Sequence, residues 1–240
     1  MNKNKYEILL LEKRRYNLKE TISFREKYKL WRDYPIQKII GYIEMANVKI
    51  KVNKKVLIPR YETEELILLA IKLIKENGKY HNILDLCCGS GFIGIALKKA
   101  FPSLNILQSD ISNAAIKQTL INLKINNLKN NVIKSNMFHN IYQKFDVIIS
   151  NPPYLLKNDK KNMTKSVLKY EPQKALFAQE EGMFFYYQIE KNLSKYLNKN
   201  GLIILEINPV NYKWFIDNKY HVINDINNKK RFAYKFFNQF

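Results

Sequence analysis

The apolar run Phe145-Asp146-Val147-Ile148-Ile149-Ser150 stops at Asn151-Pro152-Pro153-Tyr154, and this junction constrains the fold more than any other part of the 240-residue chain. A short, nearly continuous apolar segment bounded by turn residues reads as a strand buried on both faces, as in a parallel sheet covered by helices. Neither proline can donate to a sheet, so the strand ends here. Pro153 also holds the residue before it, Pro152, in an extended conformation, which fixes the direction of the Pro152 carbonyl. Asn151 adds a side-chain oxygen, and Tyr154 adds a flat face without a strong charge. Two converging acceptors match an NH2 group on a planar π system, such as a carboxamide or an exocyclic base amine. Open α/β sheets bind ligands beyond the carboxyl ends of their strands, where this corner should lie. An ordinary Pro-Pro turn is the other reading of the same residues.

A second motif lies upstream. Asn82-Ile83-Leu84-Asp85-Leu86 reads as a short buried strand, and Cys87-Cys88-Gly89-Ser90-Gly91-Phe92-Ile93-Gly94 follows as a turn into an apolar helix. Gly89, Gly91 and Gly94 fit G-x-G-x-x-G, which lets a ligand approach the backbone at a helix amino terminus. The next strand ends in Asp110, near the position from which an acid grips a ribose hydroxyl pair. Together these features imply a nucleoside ligand. A strand, turn and helix suit a nicotinamide dinucleotide and S-adenosylmethionine equally; the acceptor corner favours the second, because hydride transfer has no evident use for it. Taken singly, Asp85 also reads as a cap of the turn and Asp110 as the N-cap of a helix starting near Ser112.

The remaining pattern is that of an α/β chain. Residues 6–29 form a basic, moderately amphipathic helical region, and residues 39–56 alternate as a hairpin around Asn47 and Asn53. Residues 62–76 carry apolar side chains at helical spacing, with Asn77-Gly78 as a stop. Strands near 82–86, 104–109, 131–135, 145–150 and 201–207 then alternate with helices near 91–101, 112–126 and 182–198. Residues 221–225 and 231–237 read as a late hairpin that completes a seven-stranded, mostly parallel sheet covered on both faces. Trp31, Trp214 and the run Phe184-Phe185-Tyr186-Tyr187 are expected to pack against the sheet. Residues 155–179 form a long, Lys-rich loop placed to cover a substrate or dock its carrier, and its composition suits partial disorder before binding.

The loop with Asp85, Cys87, Cys88, Gly89, Ser90 and Gly91, together with Asp110 and the Asn151–Tyr154 corner, resembles class I S-adenosylmethionine-dependent methyltransferases of planar amino nitrogens. Two segments narrow the likeness: Val56-Leu57-Ile58-Pro59-Arg60-Tyr61-Glu62-Thr63-Glu64-Glu65-Leu66 and Tyr170-Glu171-Pro172-Gln173-Lys174-Ala175-Leu176-Phe177, the latter followed by Glu181-Gly182. Both are similar to signatures of the peptide chain release factor glutamine methyltransferases, the HemK or PrmC family, and Pro35-Ile36-Gln37-Lys38-Ile39-Ile40-Gly41 resembles that family's lead-in to a small hairpin. The resemblance implies a Rossmann-like fold and divides the chain into a short helical region (1–34), a linking hairpin (35–58) and a methyltransferase domain (59–240). It implies a cofactor site that includes Asp85, in which residues 87–91 line the methionine part, Asp110 the ribose, and Asn136 with Met137 the adenine end. Asn151, Pro152, Pro153 and Tyr154 would bind the substrate amide, with methyl transfer to a glutamine of a release factor as the activity. The family usually has Gly at Cys87, Pro at Tyr61 and Asp at Asn136, and an N-terminal helical domain about twice as long.

Composition excludes little. The formal charge of +20 invites a nucleic-acid reading, and an RNA or DNA amino-group methyltransferase is the alternative, followed by a nonenzymatic nucleoside-binding protein. Only six of the 41 basic residues are Arg, however, and Lys is the poorer bidentate reader of phosphates and bases. A basic surface would still favour a ribosome-associated setting. The two cysteines are adjacent, so neither a disulfide nor a metal centre is expected. The longest early apolar run, Ile8 to Leu11, is short and followed by charge, so the sequence points to a cytoplasmic or organelle-matrix protein without membrane contact.

Overall fold

Local capping sets the entry to the fold. The computed structural model describes residues 3–237. Helices α1 (Lys3–Arg15) and α2 (Phe24–Trp31) are tied by a Lys13–Glu26 ion pair at 2.7 Å. Ser23 and Glu26 cap the start of α2 reciprocally, each side chain accepting the other's backbone N–H. Trp31 does not pack as expected: it is 64% exposed, beside Tyr28 on the outer face of α2. A short helix, α3 (Ile36–Ile40), absorbs two residues read as hairpin. The hairpin is narrower, β1 (Tyr42–Met45) with β2 (Val48–Lys51), because Ala46 and Asn47 both take positive φ in a tight turn that matches strand twist. Asn53 lies outside it.

From α4 (Tyr61–Asn77) onward, strand and helix alternate: β3 (Asn82–Leu86), α5 (Phe92–Ala100), β4 (Asn105–Asp110), α6 (Asn113–Ile125), β5 (Asn131–Lys134) and β6 (Phe145–Ser150). Then come α7 (Lys165–Tyr170), α8 (Phe184–Tyr196), β7 (Leu197–Glu206), α9 (Tyr212–Asp217), β8 (His221–Asn224) and β9 (Lys230–Phe237). The sheet has seven strands in the order β5-β4-β3-β6-β7-β9-β8, parallel except for β9, which runs antiparallel to both neighbours. This is the seven-stranded, mostly parallel sheet that the sequence pattern predicts and the Rossmann-like architecture that the resemblance implies. The order reverses between β4-β3 and β6-β7, which opens a crevice at the carboxyl edge.

The central strands are apolar on both faces, and that decides the layering. Ile83, Val147, Ile149, Leu202 and Ile204 point into one core with α4, α5 and the hairpin; Leu84, Leu86, Ile148, Ile203 and Leu205 point into the other with α8 and α9. Tyr186 is buried against Phe215 and Trp214 packs on the same core as expected, whereas Tyr187 stays exposed against the outer side of Trp214. No helix among the described residues is long and apolar enough to cross a membrane.

The hairpin is held by a device that periodicity does not reveal. Gln118, Asn122 and Asn126 recur at four-residue spacing along α6 and so share one face of it. Asn122 accepts from the Lys51 N–H and donates to its carbonyl at 2.9 and 3.1 Å; Asn126 does the same to Lys49, and Gln118 accepts from the Lys54 N–H. Side-chain amides thus stand in for a neighbouring strand and cover the open edge of β2. Asn122 also donates to the Ser90 carbonyl, joining the hairpin to the glycine loop. Asn122→Ala strands the buried Ser90 carbonyl and the part-buried Lys51 N–H and carbonyl, and should cost about 2–4 kcal/mol. Denaturant unfolding would read that loss, and faster amide exchange at Lys49 and Lys51 would locate it.

Candidate active site

The glycine loop is anchored from below by a buried acid. Asp85 is fully buried near the end of β3; its Oδ2 accepts from the Gly94 N–H at 2.9 Å and from Gln108 Nε2 at 2.8 Å. Gly94 is needed there because an added Cβ would stand 2.5 Å from Gln108 Nε2. Burial pushes the Asp85 carboxyl up to about 7, against the Gln108 and Gly94 hydrogen bonds that favour its charge, and its Oδ1 is buried without a partner. Above it, Cys88 donates its N–H to the Ser109 carbonyl, Gly91 turns the chain into α5, and Ser90 is buried in the turn. Cys87 has a positive φ of 62°, which costs a Cβ-bearing residue about 1–2 kcal/mol and accounts for the Gly usual in the resembled family. Its Sγ lies 4.0 Å from Met137 Sδ, and burial pushes the thiol pKa up.

Asp110 closes the loop from the side. One carboxylate oxygen accepts from the Gly89 N–H at 2.9 Å and the other from the Ser112 N–H at 2.8 Å. The cap of α6 is Ser112, not Asp110. Burial raises the Asp110 pKa, opposed by these backbone donors, and each oxygen can accept a further bond. Asn136 is exposed, with Met137 beside it at positive φ, braced by Ser135 Oγ on the Met137 carbonyl. The structure therefore gathers residues 85–91, 110 and 136–137 at the carboxyl ends of β3, β4 and β5.

The acceptor corner stands next to them, since β6 pairs with β3 up to Ser150 opposite Leu86. Pro152 and Pro153 are buried, while Asn151 and Tyr154 are partly exposed. Asn151 Nδ2 donates to Thr63 Oγ1 at 3.0 Å, Thr63 Oγ1 donates to Glu206 Oε2 at 2.9 Å, and the Tyr154 hydroxyl donates to Glu206 Oε1 at 3.0 Å. Burial pushes the Glu206 carboxyl up to about 7, opposed by these two hydroxyls and by nearby Arg231. Burial beside Glu206 likewise raises the Tyr154 hydroxyl. Sequence reasoning missed Thr63 and Glu206. The available signal was a lone acid closing the apolar run Leu202-Ile203-Ile204-Leu205, the pattern that Asp85 shows in β3.

Asn151, Pro152, Tyr154 and Glu206 line a cleft of about 230 Å³ whose other walls are mainly apolar, from Leu57, Leu155, Met163, Val167 and Leu176. The segment 155–179, expected as a partly disordered loop, instead carries α7 and supplies the outer wall through residues 155–176. Leu155 exchanges backbone hydrogen bonds with Leu176 and Ala178, closing the segment at its base around α7, and Tyr170 donates to the Arg32 carbonyl. Arg60 also lines the cleft, its guanidinium 2.7 Å from buried Glu171, which accepts the Ile58 N–H as well. The two distant segments that carry the family likeness meet here. Gly182 fits against the corner because a Cβ would stand 2.4 Å from the Tyr154 carbonyl.

The residues at the glycine loop fit S-adenosylmethionine. Gly89 has a positive φ and open space where a Cβ would project, Asp110 retains acceptor capacity beside it, and Asp85 Oδ1 lacks a partner. Residues 67–233 match the model of the methyltransferase small domain. The chain belongs to that family. It is 39% identical over 180 residues to the release factor glutamine methyltransferase of Lactococcus lactis, covering 75% of this chain and 66% of that protein. It is 40% identical over 174 residues to the release factor glutamine methyltransferase of Streptococcus pneumoniae, covering 72% and 61%. The chain thus spans less than two thirds of the length of these methyltransferases. Among solved structures, the Thermus thermophilus 16S rRNA N2 G1207 methyltransferase superposes with a TM-score of 0.60 at 14% identity, over 81% of this chain and 49% of that one, a likeness of fold alone.

Two measurements check this site. Asp110→Ala should weaken S-adenosylmethionine binding about tenfold or more by calorimetry, and unchanged affinity would move the ribose site elsewhere. Asp85 and Glu206 keep their protons in the fold at pH values where the unfolded chain has lost them, so the stability they contribute is complete below about pH 4 and is lost as pH rises through about 7. Urea midpoints should fall between about pH 4.5 and 7 and level off above, and Glu206→Gln should reduce that slope by one proton.

Proposed function

We propose that this chain transfers the methyl group of S-adenosylmethionine to the side-chain amide nitrogen of a glutamine in peptide chain release factors. The observation that carries the reading is the Asn151 amide, held by its NH2 on Thr63 so that its oxygen remains free beside the fixed Pro152 carbonyl. When bound, S-adenosylmethionine supplies an electrophilic methyl group on sulfonium sulfur. Asn151 Oδ1 and the Pro152 carbonyl accept the two N–H bonds of the incoming amide and place its nitrogen at the sheet edge beside the glycine loop.

An amide nitrogen is a poor nucleophile because its lone pair is delocalised. As that nitrogen forms its bond to carbon, its N–H groups grow more positive, so the two acceptors bind the transition state better than the ground state. The surplus proton leaves to water. Fixing the nitrogen contributes several kcal/mol more, as positioning does elsewhere. Tyr154 walls the amide, with its hydroxyl occupied by Glu206. The apolar cleft walls suit the methylenes of a glutamine, and Arg60 is already engaged by Glu171 rather than free for a phosphate. In this reading residues 59–240 carry catalysis, while residues 1–34 and 35–58 brace it as a helical appendage and hairpin.

Incubation of the protein with isotopically labelled methyl donor and either release factor or total RNA, followed by mass localisation, tests the assignment. Label on a glutamine of the release factor is expected; label on an RNA amine instead would overturn it. Asn151→Ala leaves one N–H of the bound amide unpaired, costing about 1–3 kcal/mol, and should lower kcat roughly ten- to a hundredfold with cofactor affinity nearly unchanged.

A further inference from the structure

The acid beneath the acceptor corner sets the direction of a chain of hydrogen bonds. Glu206 closes β7 with 2% of its surface exposed, and both of its carboxylate oxygens are occupied, by Thr63 Oγ1 at 2.9 Å and the Tyr154 hydroxyl at 3.0 Å. A hydroxyl carries a single proton, and an ionised carboxylate only accepts. Thr63 therefore directs its proton to Glu206 and keeps only lone pairs for Asn151, which must turn its NH2 toward Thr63 at 3.0 Å. The Asn151 oxygen is then left for the cleft. Were Thr63 to donate to Asn151 instead, that oxygen would be consumed and an NH2 would face the incoming NH2.

We propose that Glu206 is a positioning residue which, acting through Thr63, fixes the face of the Asn151 amide and so presents an acceptor to the substrate amine. The role rests on the reading of Asn151 as the group that holds the substrate nitrogen. Glu206 is faced by Thr63 and Glu62 of α4, by Tyr154 of the corner, by Tyr186 of α8, whose hydroxyl bonds the Glu206 carbonyl at 3.0 Å, and by Arg231 of β9. Burial and Glu62 oppose its ionisation, whereas the two hydroxyls and Arg231 favour it, leaving the carboxyl at about 7. Once protonated it can donate, and Thr63 is released to turn the other way.

The test uses the full chain with Glu206→Gln, Thr63→Val and Thr63→Ser. A Val at 63 cuts the relay, whereas a Gln at 206 keeps an acceptor for Thr63 and carries no titratable proton. Turnover of Thr63→Val should drop about tenfold or more with S-adenosylmethionine affinity by calorimetry within about threefold, while Thr63→Ser retains turnover within about threefold. Wild-type kcat should decline below about pH 7, and the decline should vanish in Glu206→Gln. Glu206→Gln added to Asn151→Ala should cause no further loss, since both act at one group. A readout free of substrate is the side-chain NH2 resonance of Asn151, identified by its absence in Asn151→Ala, which should titrate in the wild type and stop titrating in Glu206→Gln. Wild-type turnover in Thr63→Val, losses that add to those of Asn151→Ala, a pH decline of kcat that persists in Glu206→Gln, or an Asn151 resonance indifferent to Glu206 would overturn the proposal. A titrating resonance in a protein that methylates no glutamine would support the relay and sink the substrate reading instead.

Discussion

The acceptor corner depends on a carboxylate placed where charge is costly to bury. Glu206 is compensated by two hydroxyl donors and by Arg231, and the compensation is incomplete, because burial still dominates its pKa. The two acceptors it serves are held by different physics. The Pro152 carbonyl cannot rotate, since the ring of Pro153 confines the backbone before it. The Asn151 amide can rotate, and its two ends differ in hydrogen-bonding sense, so it needs an external reference. A carboxylate that can only accept gives the row Glu206, Thr63, Asn151 a single direction.

The same device recurs under the other half of the crevice. Asp85 is a lone acid in an apolar strand, buried, and bonded to the helix that follows the glycine loop. Gln108, which donates to Asp85, is in turn held by Asn130 at 3.0 Å. Both acids favour the folded state most when protonated, whereas an anionic Glu206 is what orients Asn151. Stability and a competent site therefore pull in opposite directions near neutral pH, a tension expected where function needs a buried charge.

Much of this architecture is legible along the chain because its signals are local. β6 spans Phe145–Ser150 as the apolar run predicts, and G-x-G-x-x-G marks the start of α5 correctly. β7 begins at Leu197 rather than near 201 because Asn198, Lys199 and Asn200 look like a turn, while Leu197 pairs with Phe145 across the sheet. The alternation overstates the hairpin because Ile39 and Ile40 continue its pattern but belong to a helical turn. The segment 155–178 looks structureless because its partners, Arg32 and Arg60 among them, are distant in sequence. Thr63 and Glu206 are 143 residues apart, and no periodicity connects a threonine near a helix start to an acid at a strand end.

The first turn of α4 explains why the segment around it is so dense in recognisable residues. Arg60 holds the outer wall of the cleft through Glu171, and the preceding Ile58 N–H binds the same carboxylate. Tyr61 accepts from Arg15 of α1, Thr63 orients Asn151, and Glu64 accepts the Ala46 N–H at the hairpin turn. Glu62 and Glu64 also sit where the helix dipole favours negative charge. Four of the five residues 60–64 thus fasten α1, the hairpin, the cleft wall and the acceptor corner to one helix end. Among these anchors Thr63 is the one that touches the corner directly, through Asn151, so the helix end that holds the wall and the hairpin also holds the acceptor.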